Sequence, residues 1–170
     1  MALPLGAPPK PPAPGRDLRT SVAYALATWF GCGRVPYAPG TAGTLGAIPL
    51  YLMLRPAGPI AVAAGALFFT AVGVWASSIV ADHARLKDPP FVVIDEVAGV
   101  LVTLAAAPPT WAGLATGVLL FRLFDITKPW PARLAERRLP GGWGIVMDDI
   151  AAGAWGAAVM IALRLGRVLG

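Results

Sequence analysis

Five of the nine acidic residues in this chain lie inside or against apolar segments. Asp95 and Glu96 sit between "FVVI" and "VAGVLVTL", Asp125 ends "LLFRLFD", and Asp148 and Asp149 head "DDIAAGAWGAAVMIAL". Carboxylates are expensive in apolar surroundings, and a chain that keeps them there uses them. Oxygen ligands in this number suit a hard cation such as Mg²⁺. A metal held this way polarises an oxygen of its substrate or lowers the pKa of a water. Asp95, Glu96, Asp125, Asp148 and Asp149 are therefore the candidate metal ligands, and Asp95, Glu96, Asp125 and Asp149 the candidate catalytic groups. Each has an ordinary alternative. Asp95 and Asp148 could cap helices, and Asp125 could pair with Arg122 one turn earlier. Three such clusters in a chain with only 14% charged residues argue against an ordinary role for all of them.

Two other features could serve an anionic substrate. The loop "PYAPGTAGT" offers backbone N–H groups and hydroxyls that suit a phosphate, with a plain tight turn as the alternative. It lacks the Lys-Ser/Thr ending of a Walker A loop. Lys128 follows Asp125 by three residues and precedes Pro129, which pushes its backbone out of the helical region. It is either a phosphate ligand or a lysine snorkelling to the membrane surface. Arg34, Arg122 and Arg133 are weaker candidates for the same work.

The residues present exclude several chemistries. Cys32 is the only cysteine and no Cys-x5-Arg stretch follows it, which removes thiolate chemistry, a disulfide within the chain and a thiolate metal site. His83 is the only histidine, so a two-histidine mechanism has no second member. Neither an Asp-x-Asp pair nor a Gly-x-Ser-x-Gly elbow is present. Metal-assisted chemistry survives, with either metal-bound water or an aspartate as nucleophile.

The elements that must position these groups are helical and suited to a membrane. Hydrophobic residues make up 56% of the 170, and the mean hydropathy is +0.66. That is more apolar surface than one small soluble core hides. The net charge of +5 is scattered between apolar segments without an aromatic-basic face, which argues against nucleic acid and for cytoplasmic loops and an anionic lipid partner. Residues 1–16 hold six prolines and are expected to form a disordered tail, with residues 17–170 as one domain. Apolar helices are expected over 18–30, 57–81, from about 91 to 107, from about 110 to 126, and from about 148 to 165. The run 45–54 is too short to cross unaided. If the helices alternate in direction, all three acidic clusters fall at one end. The connections there carry seven Lys or Arg, against only Arg55 in the opposite turns, which places the acidic end in the cytoplasm. The fold expected is an all-α, small multi-helix membrane-embedded bundle with re-entrant or interfacial short helices.

Four strings, "GCGRVPYAPGTAGTLGAIPL", "DPPFVVIDEVAGVL", "FRLFDITKPWPARLAE" and "GGWGIVMDDIAAG", in this order and spacing, closely resemble the bacterial phosphatidylglycerophosphatase A family. The resemblance runs from Phe30 to Gly156; Trp143 and Val146 stand where many relatives are expected to carry methionine. It implies Mg²⁺-dependent hydrolysis of the terminal phosphate of phosphatidylglycerophosphate, giving phosphatidylglycerol at the cytoplasmic face of the inner membrane. The family's acidic motif positions correspond to Asp95, Glu96, Asp125, Asp148 and Asp149. Its Pro-Gly-Thr loop corresponds to Pro39, Gly40, Thr41, Gly43 and Thr44, and its lysine to Lys128. Thr41, Gly43, Thr44, Lys128 and Arg34 are the expected phosphate contacts. Other readings are an ion-coupled transporter, whose carboxylates would be spread across membrane depth, and a CDP-alcohol phosphotransferase, whose Asp-x2-Asp-Gly-x2-Ala-Arg spacing is absent.

Overall fold

A computed structural model of the chain describes residues 17–169, apart from the side chain of Glu136. The expected tail, residues 1–16, lies outside the described residues. Among the described residues all regular structure is helical. The order is α1 (Leu18–Ala27), a 3₁₀ turn (Cys32–Arg34), α2 (Pro39–Gly46), α3 (Ile48–Leu54), a second 3₁₀ turn (Arg55–Ala57) and α4 (Pro59–Ala84). Then come α5 (Ile94–Ala105), α6 (Trp111–Thr127), α7 (Ala132–Arg138) and α8 (Gly141–Leu165).

The 26-residue α4 and the 25-residue α8 are long and apolar enough to cross a membrane. Only 28% of the apolar stretch of α4 is buried, so most of its apolar surface, including Leu67 and Phe68, faces outward, as a lipid-facing helix requires. The 12-residue α5 is the opposite case: Val97, Ala98, Val100 and Leu101 are fully buried, and it packs against α4, α6 and α8. At about 1.5 Å per residue it is only some 18 Å long, too short to cross alone. The backbone N–H of Val93, just before α5, donates to the Ala27 carbonyl at 2.8 Å and ties the end of α1 to the start of α5.

Small residues let α5 and α8 approach closely. A Cβ on Gly99 would stand 2.6 Å from the Asp149 carbonyl oxygen and 2.6 Å from the Phe121 ring. A Cβ on Gly153 would meet the Val102 side chain at 3.0 Å as well as the Gly99 carbonyl. The Thr103 hydroxyl donates to the Gly153 carbonyl at 3.0 Å across the same seam. The close approach expected of glycines four residues after Asp95 and Asp149 is therefore present.

Three boundaries differ from expectation. The Pro-Gly-Thr segment is the helix α2, with Pro39 in its first turn, where a missing N–H costs nothing. Its glycines serve close packing, since a Cβ on Gly43 would lie 2.7 Å from that of Val93. The last helix starts at Gly141, so Asp148 and Asp149 stand about two turns inside it. Gly142 allows this by pressing against α4, where its N–H donates to the Ser78 hydroxyl at 3.1 Å. The basic connector also contains a short helix, α7.

Gly153→Val should wedge the α5–α8 seam and cost about 1–3 kcal/mol. The check is the unfolding temperature of the detergent-solubilised protein, which should fall; an unchanged value would show that the seam tolerates a side chain.

Candidate active site

Four elements and one loop bring the acidic residues to a single cavity of about 170 Å³. Asp95 and Glu96 lie in the first turn of α5, and Asp125 lies in the last turn of α6. Asp148 and Asp149 line it from α8, Gly40 from α2, and Asp88 from the loop before α5. All five sequence-predicted carboxylates thus converge, and Lys128 joins them.

Two cations hold this arrangement. Arg122 sits on α6 three residues before Asp125, and its Nη1 bridges two carboxylates, donating to Glu96 Oε2 and, at 2.8 Å, to Asp125 Oδ2. The side chains of Glu96 and Asp125 are only 12% and 13% exposed, so this bridge sits in a medium where an unpaired charge is costly. Lys128 ends α6 in the left-handed conformation, φ 43°, and turns its Nζ to Asp148 Oδ2 at 2.7 Å. The expectation that Lys128 leaves the helix at Pro129 is met. The snorkelling alternative is not, because its head bonds a buried carboxylate.

The remaining expected phosphate contacts are distributed differently. Thr44 is fully buried; its hydroxyl approaches Glu96 Oε2 at 2.9 Å and the Gly40 carbonyl at 3.0 Å, so it positions Glu96 and does not line the cavity. Gly43 is buried against Val93 and is likewise outside it. Both depart from a phosphate-contact role because the segment is a packed helix with only its Gly40 edge on the cavity. A Cβ on Gly40 would run into the Glu96 carboxylate and lie 3.2 Å from Arg122 Nη1, so glycine there makes room for the bridge. Thr41 and Arg34 are exposed, Thr41 on α2 and Arg34 on the turn packed against it. Arg133 reaches the Thr127 carbonyl at 3.3 Å, at the end of α6.

Asp88 and the bridging role of Arg122 were not read from the sequence. The signal for Asp88 was its place before the rigid Pro89-Pro90 pair leading to Asp95. For Arg122 it was its position one turn before Asp125, which gave the local pair but not the link to Glu96.

The donor set is all oxygen, which fits a hard divalent cation and disfavours a soft one. The carboxylates of Asp95 and Asp149 have no ion-pair partner among the described residues, and the Asp95 carboxylate accepts only the Glu96 backbone N–H at 3.0 Å. The cavity therefore holds more negative charge than Arg122 and Lys128 balance. Among the described residues no three acidic, histidine or cysteine side chains already close on one point; the carboxylates ring a space instead.

Residues 25–164 match the family described as Phosphatidylglycerophosphatase A. The chain belongs to the phosphatidylglycerophosphatase A family. It is accordingly a phosphatase, a phosphoric monoester hydrolase, and the matched region holds every residue of the cavity. Phosphatidylglycerophosphatase A of Escherichia coli is 35% identical over 81% of this chain and 80% of its own length. Its namesake in Haemophilus influenzae is 33% identical over 83% of this chain and 88% of its own. A Bacteroides thetaiotaomicron protein provisionally named phosphatidylinositol-3-phosphatase is 38% identical over 82% of this chain and 91% of its own. No solved structure matches the chain.

Arg122→Met leaves two buried carboxylates without their cation and should cost up to about 3–5 kcal/mol. Adding Glu96→Gln should recover part of that loss, measured as unfolding temperature across the double-mutant cycle. Strictly additive losses would show that the two side chains are uncoupled.

Proposed function

We propose that this phosphatase hydrolyses the terminal phosphomonoester of phosphatidylglycerophosphate, releasing phosphatidylglycerol and inorganic phosphate. The observation that carries the reading is the meeting of carboxylates from α5, α6 and α8 with Lys128 on one polar cavity, in a member of the family of that name. The substrate is taken from the names of the E. coli and H. influenzae relatives.

Asp95, Glu96, Asp125, Asp148 and Asp149 would hold Mg²⁺. When bound, the ion would supply polarisation of a phosphoryl oxygen and a water of lowered pKa. The chain's own residues do the rest. Lys128, at the cavity wall, offsets charge on the phosphate. Arg122 bridges Glu96 and Asp125 and keeps both carboxylates aimed. Asp95 or Asp149, neither spent on an ion pair, takes the proton of the attacking water. Arg34 and Thr41, exposed beside the Gly40 edge, meet the lipid head outside the cavity. Gly43 and Thr44 support from behind.

The acidic end is assigned to the cytoplasmic face of the bacterial inner membrane. The support is the cluster of Arg85, Lys87, Lys128, Arg133, Arg137 and Arg138 in the connections at that end. A second reading has its own support. The B. thetaiotaomicron relative's name points to a phosphomonoester on an inositol head, which the same carboxylates and Lys128 could process.

Purified full-length protein given phosphatidylglycerophosphate should release phosphate with Mg²⁺, stop with EDTA and recover when Mg²⁺ is restored. Turnover insensitive to EDTA would rule out the metal. Faster release from phosphatidylinositol 3-phosphate in the same assay would replace the first substrate with the second. Asp149→Asn should lower turnover by about 10²–10⁴-fold with an unchanged unfolding profile.

A further inference from the structure

A second cavity, of about 150 Å³, lies at the end of the bundle opposite the carboxylates. Its walls are the end of α3, the second 3₁₀ turn, the start of α4, the end of α5 and the end of α8, represented by Tyr51, Arg55, Pro59, Leu104 and Arg164. The volume is far above the roughly 10–15 Å³ that admits one water. No acidic residue lines it, whereas two arginines do.

The polar groups here are under-used. Arg164 donates one N–H, from Nη1, to the Ala106 carbonyl at 3.1 Å, which caps the end of α5; a guanidinium carries five donors. Arg55 has no hydrogen-bond or ion-pair partner among the described residues. Tyr51 is only 1% exposed and lines the cavity, yet its hydroxyl has no hydrogen-bond partner among the described residues. Burial raises the Tyr51 phenol above its ordinary value, with Arg55 offsetting part of the rise, so the hydroxyl stays a neutral donor. A phenol and two arginines with donors to spare, lining one cavity that holds no acidic residue, point to an anionic acceptor that completes the set.

We infer that this cavity binds the phosphate of an anionic phospholipid in the leaflet opposite the active site. Two forked cations and a phenol match a phosphodiester carrying one negative charge. The cavity opens where α4 begins and α8 ends, which is where a membrane-crossing pair meets the head groups. The lipid bridges the α3–α4 turn to the ends of α5 and α8 and so clamps the end of the bundle that the carboxylates do not hold. The inference rests on α4 and α8 crossing the membrane and is independent of which lipid is hydrolysed.

The test is thermal unfolding of the full chain in a neutral detergent with added dioleoyl phosphatidylglycerol, dioleoyl phosphatidylcholine or inorganic phosphate. Phosphatidylglycerol should raise the midpoint by roughly 2–4 °C or more, with phosphatidylcholine and phosphate ineffective. Arg55→Gln with Arg164→Gln should abolish the shift, and Tyr51→Phe, which keeps the ring and the fold, should reduce it. Lys128→Gln, changed at the other end, should retain it. An undiminished shift in both the double arginine variant and Tyr51→Phe would overturn the site. So would loss of the shift in Lys128→Gln, which would place the lipid at the carboxylates. An equal shift with inorganic phosphate alone would make it a free-anion site and overturn the lipid.

Discussion

Like charges do not gather in an apolar bundle unless something cancels their repulsion, and here Arg122 is the central canceller. Its guanidinium joins the first turn of α5 to the last turn of α6, two helices that approach the cavity with opposite polarity. Most of the surrounding local structure serves that bridge. Gly40 leaves space for the Glu96 carboxylate, Thr44 hydrogen-bonds it, and the packing of α2 on the start of α5 keeps both in place. Lys128 repeats the arrangement on a smaller scale between the end of α6 and Asp148. Asp95 and Asp149 are the two cavity carboxylates left without an ion-pair partner among the described residues.

The parts of this site that were legible in the sequence share a physical cause. A carboxylate in an apolar run carries its cost in its immediate neighbours, so Asp95, Glu96, Asp125, Asp148 and Asp149 could be picked out without a fold. Helix direction then followed from the proline breaks, and with it the shared end. The parts that were not legible depend on contacts between distant segments. The glycines of "PGTAG" and "GGWG" are poor helix formers and read as loops. Each is helical because another element presses where a side chain would stand: Glu96 and Val93 against α2, and Val74 and Ser78 of α4 against the first turn of α8. The Arg122–Glu96 bridge spans 26 positions and left only its local half, Asp125, visible.

Charge is divided along the bundle. Apart from Glu136, whose side chain is not described, every acidic residue lies at or near the end where α5 begins and α6 finishes. The opposite end carries Arg55, Arg164 and Arg167. Between the two ends stand the close α5–α8 contacts, Gly99 and Gly153 with Thr103 bonded across the seam, set by the smallest side chains in the protein.

The late position of Asp149 in α8 has a consequence for how a lipid is handled. Asp149 lies eight residues after the first residue of α8, or about 12 Å along its axis. The short α5, beginning next to it, does not rise to fill the gap. Asp148 and Asp149 are therefore buried well inside the helix and not at its mouth. Under the proposed function, the phosphate of a lipid must pass about two turns of helix to reach Asp149, so the glycerol that carries it sets how much of the head group enters with it.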